Sequence, residues 1–506
     1  MTFKKLSRPR TAIVLVSILL AAALLAGCNT TSAGTSTGQK IQANAEKQFK
    51  IGNYTNASKL YLEAQAQLQK EGKTDEAELC REKAQTCELL VATYSLTQTQ
   101  LKALLAKEFP TVPIARRNKW ISSGQLEHIT VDGSTHYFGD IVGNIKYRNL
   151  DLFVQDKALS GYYTQVLLML DDQIIPANPA QPNNPYLNPV SYKGNGVLNV
   201  PRKELPQTGT MKLWFPLGIN EGPQQGASSG AISPAGYLKL PPSTSQDIGL
   251  AYMEVPLDQL TGDLSIQTPF SYTRYEERFI VDPNNMGAYD TTSPLFKQYT
   301  KSYGNIEITP AIKAKAQKVV GSEKNPYKEA QKLYYYVANN VKYSHMPHAV
   351  LWPRGQSESS YVHQRMYGDC GAQSMYFSAM ARSLGIPTRT TGGFQLFNGQ
   401  FSGHFWAEFY LPNYGWVPVD TSVGQIANYC PGATAQQRKT FEDFYFGNLD
   451  NMRCVVQTDV DLPLIPPAQE TPFIEVAIQM PVVNCATMPG VPGVTLSDFY
   501  QLQRLP

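Results

Sequence analysis

The stretch Tyr367-Gly368-Asp369-Cys370-Gly371-Ala372-Gln373-Ser374-Met375-Tyr376 decides how this chain is read. After Cys370, the residues Ala372, Met375, Tyr376, Ala379 and Met380 recur at helical spacing, which predicts a helix with one buried face. Gly385 and Pro387 stop it. Asp369 stands as its N-cap and puts Cys370 in the first turn. There, unpaired amides and the positive end of the helix dipole favour a thiolate. Taken alone, the thiol reads equally as a buried structural cysteine.

Two later segments bear on that choice. His404-Phe405-Trp406-Ala407-Glu408 opens a run with the aromatic alternation of a strand, continuing to Leu411. Pro412-Asn413-Tyr414-Gly415 reads as a turn, and Trp416-Val417-Pro418-Val419-Asp420 as the returning strand. If Asp420 lies across from Trp406, it is a diagonal neighbour of His404 on the same face, within side-chain reach. A slip of one residue would put the two on opposite faces. Singly, His404 reads as a hydrogen-bonded sheet histidine and Asp420 as a turn or capping residue. Together with Cys370 they supply a nucleophile, a base and a carboxylate that orients the base, the inventory for acyl transfer or amide cleavage.

These blocks resemble the transglutaminase-like superfamily of papain-like cysteine enzymes. The likeness is carried by Gly368-Asp369-Cys370, by the helix exit Arg382-Ser383-Leu384-Gly385-Ile386-Pro387-Thr388-Arg389, by His404 to Glu408, and by Gly415 to Asp420. An upstream helix over residues 325–341, ending in Val341-Lys342-Tyr343, resembles the family's lead-in; in all, the likeness covers residues 306–423. It implies an α+β catalytic core over residues 300–425, with Cys370 as nucleophile, His404 as general base and acid, and Asp420 as orienter. It also implies a protein or peptide substrate, a thioester intermediate resolved by water or an amine, and no cofactor. Gln364, six residues before the thiol, stands where a papain-like site takes a side-chain donor to the oxyanion. Trp406 reads as packing beside the site, with substrate contact as the alternative. The competing class is a catalytically idle scaffold that binds protein partners through its other domains.

The amino terminus points to a compartment. Lys4, Lys5, Arg8 and Arg10 precede an almost wholly apolar run over residues 11–26, shorter than a spanning helix. It closes with Leu25-Ala26-Gly27-Cys28, which resembles a bacterial lipoprotein signal. That resemblance implies a mature chain starting at an acylated Cys28 and anchored to the cell membrane, at the surface or in the periplasm. An uncleaved anchor helix is the other reading.

With 506 residues there is room for about two to four domains. The balance of 42% hydrophobic and 17% charged residues with a net charge of +3 is globular and gives no electrostatic argument for nucleic acid. No CxxC pair or His-rich cluster supports a structural zinc site, and no EF-hand-like loop supports a calcium-dependent crosslinker. His128 and His136 flank a hairpin predicted about Asp132-Gly133 and read as strand or surface residues. Cys80 and Cys87 lie two turns apart on one predicted helix, about 10 Å of rise, beyond disulfide reach. Among Cys430, Cys454 and Cys485 a bridge is open, with no pair selected by spacing.

The chain divides as follows: signal over 1–28, flexible tether over 29–38, helices over 39–95, a mixed connecting region over 96–193, recurring short strands over 194–290, the core over 300–425 and an extension over 426–506. The helices resemble a tetratricopeptide-like module of about one and a half repeats, short of a full array. Such a module either binds a partner or docks on the next domain as a spacer. The strands read as a β-sandwich-like domain, and the extension has no readable function.

Overall fold

The computed structural model describes residues 35–174, 184–399, 401–467, 476–484 and 500–504. Cys28, the apolar leader and Cys485 lie outside the described residues. No helix among the described residues is long and apolar enough to cross a membrane.

Three helices open the described chain: α1 (Thr37–Lys50), α2 (Tyr54–Lys70) and α3 (Thr74–Thr93). Ser36 and Gln39 form a capping box that starts the first. Small residues let the helices approach closely: Ala45, Ala57, Ala64, Ala77 and Ala84 are buried with Tyr61, Leu68 and Leu90. Gly52 turns α1 into α2 at a φ of 78°, and a Cβ there would meet the Thr130 carbonyl oxygen at 2.6 Å. Cys80 and Cys87 are both free and buried on α3, and burial raises their thiols to about 11 and about 12.

The connecting region forms the predicted hairpin, His128–Val131 with Ser134–Tyr137, around Asp132 and Gly133 at positive φ. His128 and His136 contact the carbonyls of Leu126 and Tyr94 through Nδ1. This region is fastened to the core. The Asn144 side chain donates to the His345 carbonyl at 3.1 Å and accepts from its amide at 2.7 Å.

The middle region holds two antiparallel sheets. In one, Tyr186–Val200 and Leu264–Arg278 pair along nearly their whole length. The other pairs Thr210–Pro216 with Leu250–Pro256. Leu198, Leu213, Phe215, Met253 and Ile266 share one buried cluster. Strands Val482–Asn484 and Tyr500–Arg504 join these sheets, so part of the extension read over 426–506 returns to the middle of the chain.

The core brings together α4 (His348–Leu351), α5 (Glu358–Arg365) and α6 (Cys370–Ser383) with β1 (Thr388–Gln395), β2 (Ser402–Leu411), β3 (Gly415–Val419) and β4 (Arg453–Gln457). The sheet order is β3-β2-β1-β4, antiparallel throughout. Its fourth strand lies beyond the boundary read at 425. The sequence predicts one buried face for α6, yet every residue from Cys370 to Arg382 is buried. The helix is enclosed by β1 and β2, by α5 and by the helix Pro326–Asn340, so its polar residues need partners. They have them. Ser378 pairs with Thr390 at 2.9 Å, and Arg382 donates to Asp459 at 2.8 Å and to the Thr388 carbonyl at 2.7 Å.

Candidate active site

Cys370 is the first residue of α6. Asp369 caps the helix, its Oδ1 accepting from the Ala372 amide at 3.1 Å. Gly371 lets β2 close onto this turn: a Cβ there would lie 3.0 Å from the Phe405 ring. The approach brings the Phe405 amide close enough to the Cys370 sulfur to favour its charged form, against burial. The residue next to Phe405 on the strand is His404.

The hairpin register sets the second pair. Ala407 opposes Val419, which puts Asp420 one step further on, across from Trp406. His404 and Asp420 meet as that geometry requires, with Nε2 2.8 Å from Asp420 Oδ2. Both side chains are buried. Nε2 is thus committed to the carboxylate, which leaves Nδ1 as the ring nitrogen not engaged by Asp420. Asp420 also caps the short helix Thr421–Gly424, its Oδ1 accepting from the Val423 amide at 2.9 Å. The capping and orienting roles coexist in one carboxylate.

Arg453, at the start of β4, is the first residue the sequence did not reveal. It donates to Asp420 Oδ2 at 2.7 Å and to Asp450 Oδ2 at 2.9 Å, and it is fully buried. Burial would raise the Asp420 carboxyl, but the His404 ring hydrogen-bonded to it and the Arg453 charge outweigh it and hold the group well below the usual carboxylate range.

His348 on α4 is the second. Its Nε2 lies 2.6 Å from Asp369 Oδ2 and its Nδ1 2.7 Å from Glu358 Oε1. Burial opposes its charge, yet these two carboxylates raise it well above the ordinary imidazole value. The resulting imidazolium fixes the carboxylate that caps the helix starting at Cys370. It is a positioning residue, since neither nitrogen is left for substrate. His348→Ala is expected to lower kcat about 100-fold with KM little changed, because loss of sub-ångström alignment at the thiol is costly. Steady-state kinetics on folded variant checks this, and a change confined to KM would contradict it.

Three expectations are corrected. The thiol is not pushed toward thiolate: burial and the neighbouring Asp369 carboxylate push Cys370 up, against the lowering influence of the Phe405 and Gly371 amides. Gln364 is not at the site. It is exposed on α5, where its Oε1 accepts from Gln356 at 3.1 Å, because Met366 at a φ of 56° ends that helix and turns the chain before Cys370. Trp406 is fully buried and cannot touch substrate. Its indole donates to Glu408 at 3.3 Å, and its ring lies 6.2 Å from that of His404.

Cys370 opens into a cleft of about 660 Å³. Its walls come from three parts of the chain: the core, α3, and the segment 476–480. In that segment Gln479 donates to the carbonyls of His404 at 2.9 Å and Gly393 at 2.8 Å, tying it to β2 and β1.

The family model of the transglutaminase-like superfamily matches residues 313–421. An uncharacterized protein of Haemophilus influenzae is 28% identical over 149 residues, 25% of this chain. The match spans 40% of that protein's length. Among solved structures, a candidate cysteine protease from Cytophaga hutchinsonii aligns with a TM-score of 0.37 at 12% identity, over 63% of this chain and 98% of that one. A candidate protease from Parabacteroides distasonis aligns with a TM-score of 0.19 at 13% identity, over 45% of this chain and 46% of that one.

Proposed function

From the premise that residues 313–421 form a transglutaminase-like domain, we propose that this protein is a cysteine hydrolase or acyltransferase acting on amide bonds of proteins or peptides. The observation that carries the reading is the buried His404–Asp420 pair beside a cysteine at a helix amino terminus. The thiol rests protonated. As Cys370 sulfur bonds to the carbonyl carbon, its proton passes to His404 Nδ1, and backbone amides at the start of α6 meet the oxyanion. The tetrahedral species collapses to a thioester as His404 returns the proton to the departing amine. Water, or a second amine, then attacks the thioester with His404 again as base.

The test is the mature protein incubated with glutamine-containing proteins, with and without a labelled amine. Ammonia release or peptide cleavage signals hydrolysis, and label incorporation signals transfer. Cys370→Ala is the control. Activity no greater than that control would leave the idle scaffold, a reading that the burial of the thiol at 8% exposure favours.

The same proposal includes the anchor: a lipid-modified Cys28 holding an extracytoplasmic protein on the cell membrane. Mass spectrometry of the native amino terminus is expected to find an acylated Cys28, and an intact Met1 or unmodified Cys28 removes the anchor. The three helices are read as tetratricopeptide-like and the two middle sheets as a β-sandwich.

A further inference from the structure

The catalytic cleft is not built by the catalytic core alone. Gln85, Glu88, Leu89 and Ala92 of α3 line the same cavity as Cys370, though about 280 residues separate them in sequence. The helix is held there by the core itself. Val350 of α4 is fully buried among the module's own apolar residues, and the Arg354 charge acts on the phenols of Tyr54 and Tyr94, lowering them against the rise that burial gives. A module fixed in this way is a wall of the site.

The chemistry of that wall can be read. Leu89 and Ala92 continue an apolar surface that Met375, Phe405, Ala477 and Met480 supply from the other elements. The charged groups on the lining are the carboxylates of Glu88 and Asp369 and the His348 imidazole; no lysine or arginine lines it among the described residues. His348 is matched against Asp369 and Glu358, which leaves Glu88 uncompensated by any cation of the lining. Such a surface takes an apolar side chain and disfavours an anionic one.

We infer that α3 is the specificity wall of the catalytic cleft, and that the site takes polypeptide substrates whose side chain at the reacting carbonyl is apolar, seated against Leu89. This rests on the cysteine-enzyme reading above and adds the substrate class to it. One pocket contact of this kind discriminates by about 10-fold to 200-fold.

The experiment measures the rate of Cys370 modification in the full chain by peptidyl chloromethyl ketones with leucine or aspartate next to the reactive group. Iodoacetamide, too small to need the wall, is the reference. The leucine probe is expected to react at least about tenfold faster than the aspartate probe. Leu89→Arg is expected to shrink that ratio about tenfold or more, with iodoacetamide labelling unchanged. Glu88 is exposed and, among the described residues, bonded only by the Ser58 hydroxyl at 3.3 Å, so Glu88→Lys keeps the fold even where Leu89→Arg does not. It is expected to speed the aspartate probe severalfold. A leucine-to-aspartate ratio near one in the wild type, or one that Glu88→Lys leaves unchanged while iodoacetamide still labels Cys370, overturns the wall. Failure of every reagent to label Cys370 faster than the buried Cys80 and Cys87 overturns the enzyme reading itself.

Discussion

His404→Ala is expected to lower turnover by about 10⁴-fold or more, with Asp420→Asn close behind. The imidazole is the base that must take the proton of a thiol held protonated by burial and by Asp369. Without it, attack waits on solvent hydroxide. Asp420→Asn acts through the tautomer. A side-chain amide turned toward Nε2 offers it an N–H, so the ring proton moves to Nδ1 and the base is blocked where it is needed. Residues that act as a unit do not contribute independently, so the double variant should be no slower than His404→Ala alone. Values of kcat/KM for the wild type, the two single variants and the double variant decide it. Losses that multiply would mean that Asp420 and His404 do not form one device.

The second large effect is on stability. Arg453→Met is expected to destabilise the fold by about 3–5 kcal/mol, because it leaves Asp420 and Asp450 buried without their shared cation. The pH dependence has a definite sign. The folded Asp420 carboxyl lies below its ordinary value, so its contribution is present above the ordinary carboxylate range and is lost as pH falls through and below it. In the variant those carboxylates are raised instead, and protonation relieves them. The deficit should therefore be greatest near neutral pH and narrow as pH falls below about 4. Urea unfolding of both proteins at pH 7 and pH 3 measures this. A deficit that widens on acidification would place the cost in lost packing rather than lost charge pairing.

The pairing of His404 with Asp420 and the place of Cys370 at a helix start were legible because each is fixed by local pattern. Asp369 and the periodic residues after it define a helix start, and the turn at residues 412–415 sets the hairpin register on which His404 and Asp420 meet. Arg453, His348 and Glu358 carry no such pattern. They reach the site from a separate strand and two short helices, and only tertiary packing brings them there. The reading of Gln364 failed for a related reason. Counting six residues back from the thiol assumes a continuous path, and the left-handed Met366 breaks it. The thiol's direction was misjudged because the helix terminus is visible in sequence, while the burial that outweighs it is not. The place of α3 depends on docking, through Val350 above all, which no local signal encodes.

The late position of β4 has a consequence for how the molecule comes into being. The chain is made from its amino end, so Cys370, His404 and Asp420 all leave the ribosome before Arg453 does. Until that residue arrives, the carboxylate that orients His404 lacks its buried counter-charge and the sheet lacks its fourth strand. A nascent polypeptide can carry every reacting group and still have no assembled site. Assembly of the His404–Asp420 pair around its counter-charge is therefore timed by a strand outside the matched domain, and a stop codon after residue 421 would leave residues 313–421 intact in sequence yet without the cation that Asp420 needs.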